Sequence, residues 1–131
     1  MPLSDIEVIR DHYAASNERD FERAMSRYAD DVLLVAYGGL TPGVYEGKEA
    51  VGRWFGDWFS TFDHASRFEI TELTEHDDGR VLLVADMHAV GRGSGLEVVS
   101  EVVWMYRLRD GKIVHVEGGV SQDVRSQLGL E

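Results

Sequence analysis

His12–Leu34, HYAASNERDFERAMSRYADDVLL, is the stretch whose reading decides the fold. It reads as the end of one helix, a break at Asn17-Glu18-Arg19-Asp20, and a second short helix. Tyr28-Ala29-Asp30-Asp31 then leads into an apolar strand. Upstream, Ser4 and Glu7 have the spacing of a capping box, in which each side chain satisfies a backbone N–H that the first helical turn leaves open. Ile6, Ile9 and Tyr13 follow at helical spacing, and Val8 and Ala14 widen the stripe. Asp20 is placed to cap the second helix, whose apolar face is Phe21, Ala24, Met25 and Tyr28.

Downstream, Val32–Tyr37 is a short β-rich run, and Gly38–Gly43 has the composition of a loop. Gly47–Phe62 carries the clearest helical pattern: Ala50, Val51, Trp54, Phe55, Trp58, Phe59 and Phe62 form one broad stripe. Strand character then fills Arg67–Glu75, Arg80–Val90, Val98–Leu108 and Lys112–Val116, with turns at His76–Gly79 and Arg109–Gly111. Gly91–Gly95 is a looser connection, and Ser121–Leu130 suits a short terminal helix. Helices gathered before a meander of strands predict an α+β fold, with helices on one face of a mainly antiparallel sheet. At 131 residues the expectation is one domain, residues 1–131.

Composition narrows the function classes. The formal net charge of −11 sets the surface against phosphate backbones and anionic lipid, so neither nucleic acid nor membrane is an expected partner. The absence of cysteine removes disulfides, thiol catalysis and cysteine metal sites and fits a reducing cytoplasm, the expected location. No basic segment precedes an apolar block at the N-terminus, so no signal peptide is expected. The five histidines form no HxH or HExxH spacing, and Gly91–Gly95 lacks the strand-to-helix context of a dinucleotide loop. No metal and no cofactor is expected.

Five markers in order resemble the nuclear-transport-factor-2-like superfamily, in particular its SnoaL-like and ketosteroid-isomerase-like members. They are Tyr13 near the end of the first helix, Asp20 opening the second, and Tyr28–Asp31 before the first strand. The fourth is Tyr45–Val51 opening the third helix, and the fifth is Arg109–Val114 at the last hairpin. The resemblance implies a cone-like fold in which three N-terminal helices pack on a curved sheet and enclose a pocket. It also implies pairing into a homodimer through the sheet. Ketosteroid isomerase combines a carboxylate base with an oxyanion hole made of a tyrosine and a protonated aspartic acid. Tyr13 matches the tyrosine, but the base position falls on Ala36 and the acid donor on Trp104. That chemistry is therefore not expected.

Candidate residues group by strand parity, since residues two apart on a strand point the same way. Asp86 and His88 form one such pair, able to act as base and orienter with Tyr13 as hydrogen-bond donor. Val102, Trp104 and Tyr106 share a second face, taken to be the pocket side, which turns Glu101 outward. Trp54 and Trp58 are neighbours one helical turn apart, and with Trp104, Tyr37 and Phe62 they are candidates for an aromatic ligand cavity. Two readings stand side by side. One is a pocket protein that binds a small hydrophobic molecule. The other is a cofactor-independent isomerase, cyclase or hydrolase using Asp86 and His88 as its acid–base pair.

Overall fold

Local capping sets the first elements. In the computed structural model, which describes residues 3–38 and 41–130, the Ser4 hydroxyl accepts from the Glu7 N–H and the Glu7 carboxylate accepts from the Ser4 N–H. This starts helix α1, Asp5–Asn17. The Asp20 carboxylate accepts from the Arg23 N–H and starts α2, Phe21–Met25. Between them Arg19 takes a left-handed backbone, φ 62°. Its guanidinium donates to the carbonyls of Ser16, His64 and Ser66. The Asn17 side chain pairs with both backbone groups of Phe68. The α1–α2 turn is thereby fastened to the start of a strand some fifty residues away.

The remaining elements are β1 (Tyr28–Tyr37), β2 (Gly43–Glu46), α3 (Lys48–Thr61), β3 (Arg67–Glu75), β4 (Val81–Val90), β5 (Glu97–Arg109), β6 (Lys112–Val120) and α4 (Ser121–Val124). The strands form one six-stranded mixed sheet in the order β2-β1-β6-β5-β4-β3. Every pairing is antiparallel except β1 with β6. The expected α+β arrangement, with α1, α2 and α3 on one face of the sheet, is what forms. Some details differ from the sequence reading. Tyr28, expected on the apolar face of the second helix, instead opens β1, which starts before the expected Val32 because α2 ends at Met25. Gly43–Glu46 is a strand against β1, where a loop and helix start were expected. The last strand runs on to Val120 rather than ending at Val116. Helix α4 covers only Ser121–Val124 of the ten residues expected to be helical. Gly39 and Leu40 of the expected loop lie outside the described residues.

The sheet separates two apolar clusters. On the helical side, Leu83, Ala85, Val102, Trp104, Tyr106, Leu34 and Val116 pack with Ile9, Tyr13 and Val51. On the other side, Leu82, Val84, Val103 and Met105 pack with Val124 and Leu128 from the C-terminal segment. Among the described residues no helix is long and apolar enough to cross a membrane.

Candidate functional site

The helical side of the sheet does not close completely over its core. A cavity of about 150 Å³ remains between α1, α3 and the strands. Its walls follow from the periodicities of the elements. Helix α1 contributes Tyr13 and Ser16. Trp54, Phe55 and Trp58 come from one face of α3, with Phe62 just beyond its end. Val102, Trp104 and Tyr106 project from alternate positions of β5, and Leu34 and Ala36 from β1. Trp54 meets Trp104 edge to face, at 5.7 Å and 78°, and Trp58 lies tilted against Phe62 and Phe68 at 5.0 and 5.1 Å. Such pairings add stabilisation beyond area burial and hold the walls in place.

A glycine sets the position of Trp104. Gly118 lies directly across from it on β6. A Cβ at Gly118 would collide with the Val103 carbonyl oxygen and come within 2.8 Å of Trp104 Cα and 2.9 Å of its ring. The indole therefore lies where only glycine permits the close approach. The pair Gly118-Gly119 is a signal present in the sequence, because glycine inside a strand marks such an approach.

The polar content of the cavity is small. Among the described residues lining it, none is an aspartate, glutamate, lysine, arginine or histidine. The Tyr13 and Tyr106 hydroxyls share a hydrogen bond of 2.5 Å. Burial pushes both phenols above their ordinary value, and also Tyr28, which borders the same space. All three are protonated donors at neutral pH. The Trp54 indole N–H is already committed to the Thr41 carbonyl, 3.1 Å away, where the Tyr45 hydroxyl also donates. Behind Tyr28 sits His12, fully buried, with its pKa pushed down to about 4 chiefly by desolvation. Sequence reasoning did not single out His12 or Tyr28 for chemistry. They meet only because α1 packs over the start of β1.

The expected site residues divide. Tyr13, Trp54, Trp58, Trp104 and Phe62 all line the cavity. So does Ala36, which leaves the isomerase base position without a carboxylate. Tyr37 borders the space, but its ring packs with the cluster on the opposite face of the sheet, and its hydroxyl donates to Glu117 at 2.8 Å. The parity of β1 explains this, since Leu34 and Ala36 point in and Tyr37 points out.

Asp86 and His88 do not meet Tyr13. Leu83 and Ala85 face the cavity side and Met87 lines the cavity, so Asp86 and His88 share the outer face with Leu82 and Val84. There His88 Nδ1 lies 2.9 Å from Glu97, and Nε2 lies 3.1 Å from Glu69 without hydrogen-bond alignment. Asp86 sits between Glu69 and Glu101 in the register. The expectation of an acid–base pair working with Tyr13 across the cavity fails on this geometry.

Residues 9–116 match the SnoaL-like domain family. The chain belongs to the SnoaL-like domain family. No curated protein matches it by sequence. Solved structures repeat its fold and place it in the nuclear-transport-factor-2-like group. One is TerC, co-crystallised with polyporic acid, with a TM-score of 0.75 and 23% identity over 95% of this chain and 96% of that one. Another is a protein of ketosteroid isomerase-like fold from Catenulispora acidiphila in complex with trimethylamine, with a TM-score of 0.74 and 17% identity over 95% and 94%. A third is a nuclear-transport-factor-2-like protein from Burkholderia thailandensis, with a TM-score of 0.77 and 26% identity over 95% and 96%.

Proposed function

We propose that this SnoaL-like chain binds a small, largely apolar molecule in the cavity between α1, α3 and the sheet, and that binding rather than catalysis is its activity there. The observation that carries this is the cavity itself: aromatic walls packed ring against ring, uncharged, with a few hydroxyls at one place. Ligand sites are typically apolar pockets with few, well-placed polar groups. The volume of about 150 Å³ sets the ligand's size. A cavity of that order holds roughly one aromatic ring, so a four-ring steroid does not fit. Two proteins of the same fold were crystallised with small organic molecules, polyporic acid and trimethylamine, which supports a small-molecule role without naming this chain's ligand.

The catalytic alternative loses its acid–base pair, because Asp86 and His88 lie on the outer face. The phenols that remain are held above their ordinary pKa. They suit hydrogen-bond donation and make poor bases at neutral pH. The cone-like enclosure and the homodimer through the sheet, both implied by the family resemblance, belong to the same proposal. The dimer would use the outer face beyond the part covered by Val124 and Leu128, where Val99 is exposed. A sedimentation mass of one chain at micromolar concentration would remove it.

The binding reading is tested by thermal stabilisation with single-ring aromatics such as ethylbenzene and acetophenone. At one hundred times Kd a ligand adds about 2.7 kcal/mol, a shift of several degrees in a domain of this size. Ala36→Phe, which fills the cavity from β1, should abolish the shift while the protein stays folded. An undiminished shift in that variant would place the ligand elsewhere.

A further inference from the structure

The cavity contains two hydroxyl systems, and the structure gives them opposite hydrogen-bonding sense. The first is the Tyr13–Tyr106 pair. One phenol donates to the other, and the second proton has no protein acceptor among the described residues. Both side chains are more than nine-tenths buried and both line the cavity. A buried donor without a partner is costly, so whatever fills the space is selected for an acceptor at that point.

The second system is Tyr28 with His12. His12 Nδ1 lies 3.1 Å from the Ala24 carbonyl, which can only accept, so Nδ1 carries the proton. With its ring held neutral by burial, His12 keeps a bare lone pair on Nε2. The Tyr28 hydroxyl lies 3.0 Å from Nε2 and must donate to it. Its own proton is thereby spent, and the Tyr28 oxygen can serve any further partner only as an acceptor. His12 packs edge-on against both Tyr13 and Tyr28, with ring centroids 5.2 and 5.0 Å apart, so the two systems share one end of the cavity. Ionised ligands are disfavoured there. No lining residue is charged, and burial, the same cause that raises the phenols' pKa, opposes bringing a charge into the space.

We infer that His12 is a positioning residue that makes Tyr28 a dedicated acceptor beside the donor of the Tyr13–Tyr106 pair, and that the ligand class is a neutral, single-ring hydroxy-carbonyl compound. This rests on the binding reading above and adds which chemical groups the ligand must carry.

A set of four probes of one shape tests it: ethylbenzene, meta-ethylphenol, acetophenone and meta-hydroxyacetophenone, titrated by calorimetry. The hydroxyl should strengthen binding about tenfold on either scaffold, as should the carbonyl, in line with a hydrogen bond to an otherwise unpaired buried group. Tyr28→Phe should erase the hydroxyl factor and leave the carbonyl factor. The double variant Tyr13→Phe with Tyr106→Phe should do the reverse, since either phenol alone keeps a free proton for the carbonyl. His12→Leu frees the Tyr28 proton, so Tyr28 can then donate as well as accept: a fifth probe that only accepts at that position, meta-methylanisole, should gain affinity in His12→Leu but not in the wild type or in His12→Gln, which keeps an acceptor for Tyr28. If His12→Leu does not fold, Tyr28→Phe alone decides the matter.

A hydroxyl factor that survives Tyr28→Phe, or an equal weakening of all four probes in that variant, would overturn the inference. Binding of ethylbenzene and acetophenone with no gain from the hydroxyl would overturn it while leaving the binding reading intact. Failure of all four probes to bind would overturn the binding reading first and the inference with it.

Discussion

The two faces of one strand, β4, differ more than its alternating sequence suggests. Towards the helices, Leu83, Ala85 and Met87 join a dense aromatic shell with no charged side chain at its cavity. Away from them, Asp86 and His88 sit among Glu69, Glu97 and Glu101, with His88 Nδ1 bonded to the Glu97 carboxylate. The residue types associated with catalysis lie on the face away from the cavity. The face that could hold a ligand has phenols and indoles instead. A carboxylate and an imidazole two residues apart are therefore weak evidence of chemistry until the side of the sheet they occupy is known.

The largest expected contrast between the faces is steric. Gly118→Ala drives a Cβ into the backbone of β5 beneath Trp104, where neither strand can yield without breaking the ladder. We expect a loss of at least about 3 kcal/mol in chemical denaturation. A loss under about 1 kcal/mol would show slack in the inner face that this account denies.

Next is the acid response of His12. Its pKa is about 4 in the folded protein against an ordinary 6.5, so the unfolded chain binds the extra proton. Stability from this group is complete above about pH 6.5 and is lost as pH falls through 4, by roughly 3 kcal/mol in all. His12→Gln should flatten that part of the stability–pH curve relative to the wild type. Parallel curves for the two proteins would contradict the buried neutral imidazole.

Smaller again is the effect on binding. Trp104→Ala removes one wall and should weaken single-ring probes at least tenfold, about 1.4 kcal/mol, by calorimetry. Smallest is the outer face. Asp86→Asn with His88→Gln should leave probe affinity unchanged, since both side chains lie on the face away from the cavity. A loss of affinity comparable to that of Trp104→Ala would erase the distinction between the faces.

Much of the fold could be read from local signals because local physics governs it. The Ser4–Glu7 box, the Asp20 cap and the Trp54–Trp58 spacing need only a few neighbouring residues, and each is present as expected. The β5 face carrying Val102, Trp104 and Tyr106 was also readable from parity. What parity does not contain is the register between strands. Leu83 lies opposite Trp104, and Asp86 opposite Glu101, and directly paired residues share a face. That long-range pairing turns Asp86 and His88 outward. Tyr37 lines the cavity as expected, yet its ring packs with the outer cluster, since a strand-end aromatic gives no sign of which cluster it joins. The end of β6 was missed because Gly118 and Gly119 have poor intrinsic strand preference, and the tertiary demand of the Trp104 ring overrides it.

The central claim is that a ligand sits on the helical face of the sheet. The chain has three tryptophans, and all three line the cavity. Titrating acetophenone into labelled protein and following the three indole N–H resonances tests this directly. The account predicts that all three shift together, while the amides of Asp86, His88 and Glu97 stay in place. Stationary indoles with shifts confined to those outer-face amides would contradict it.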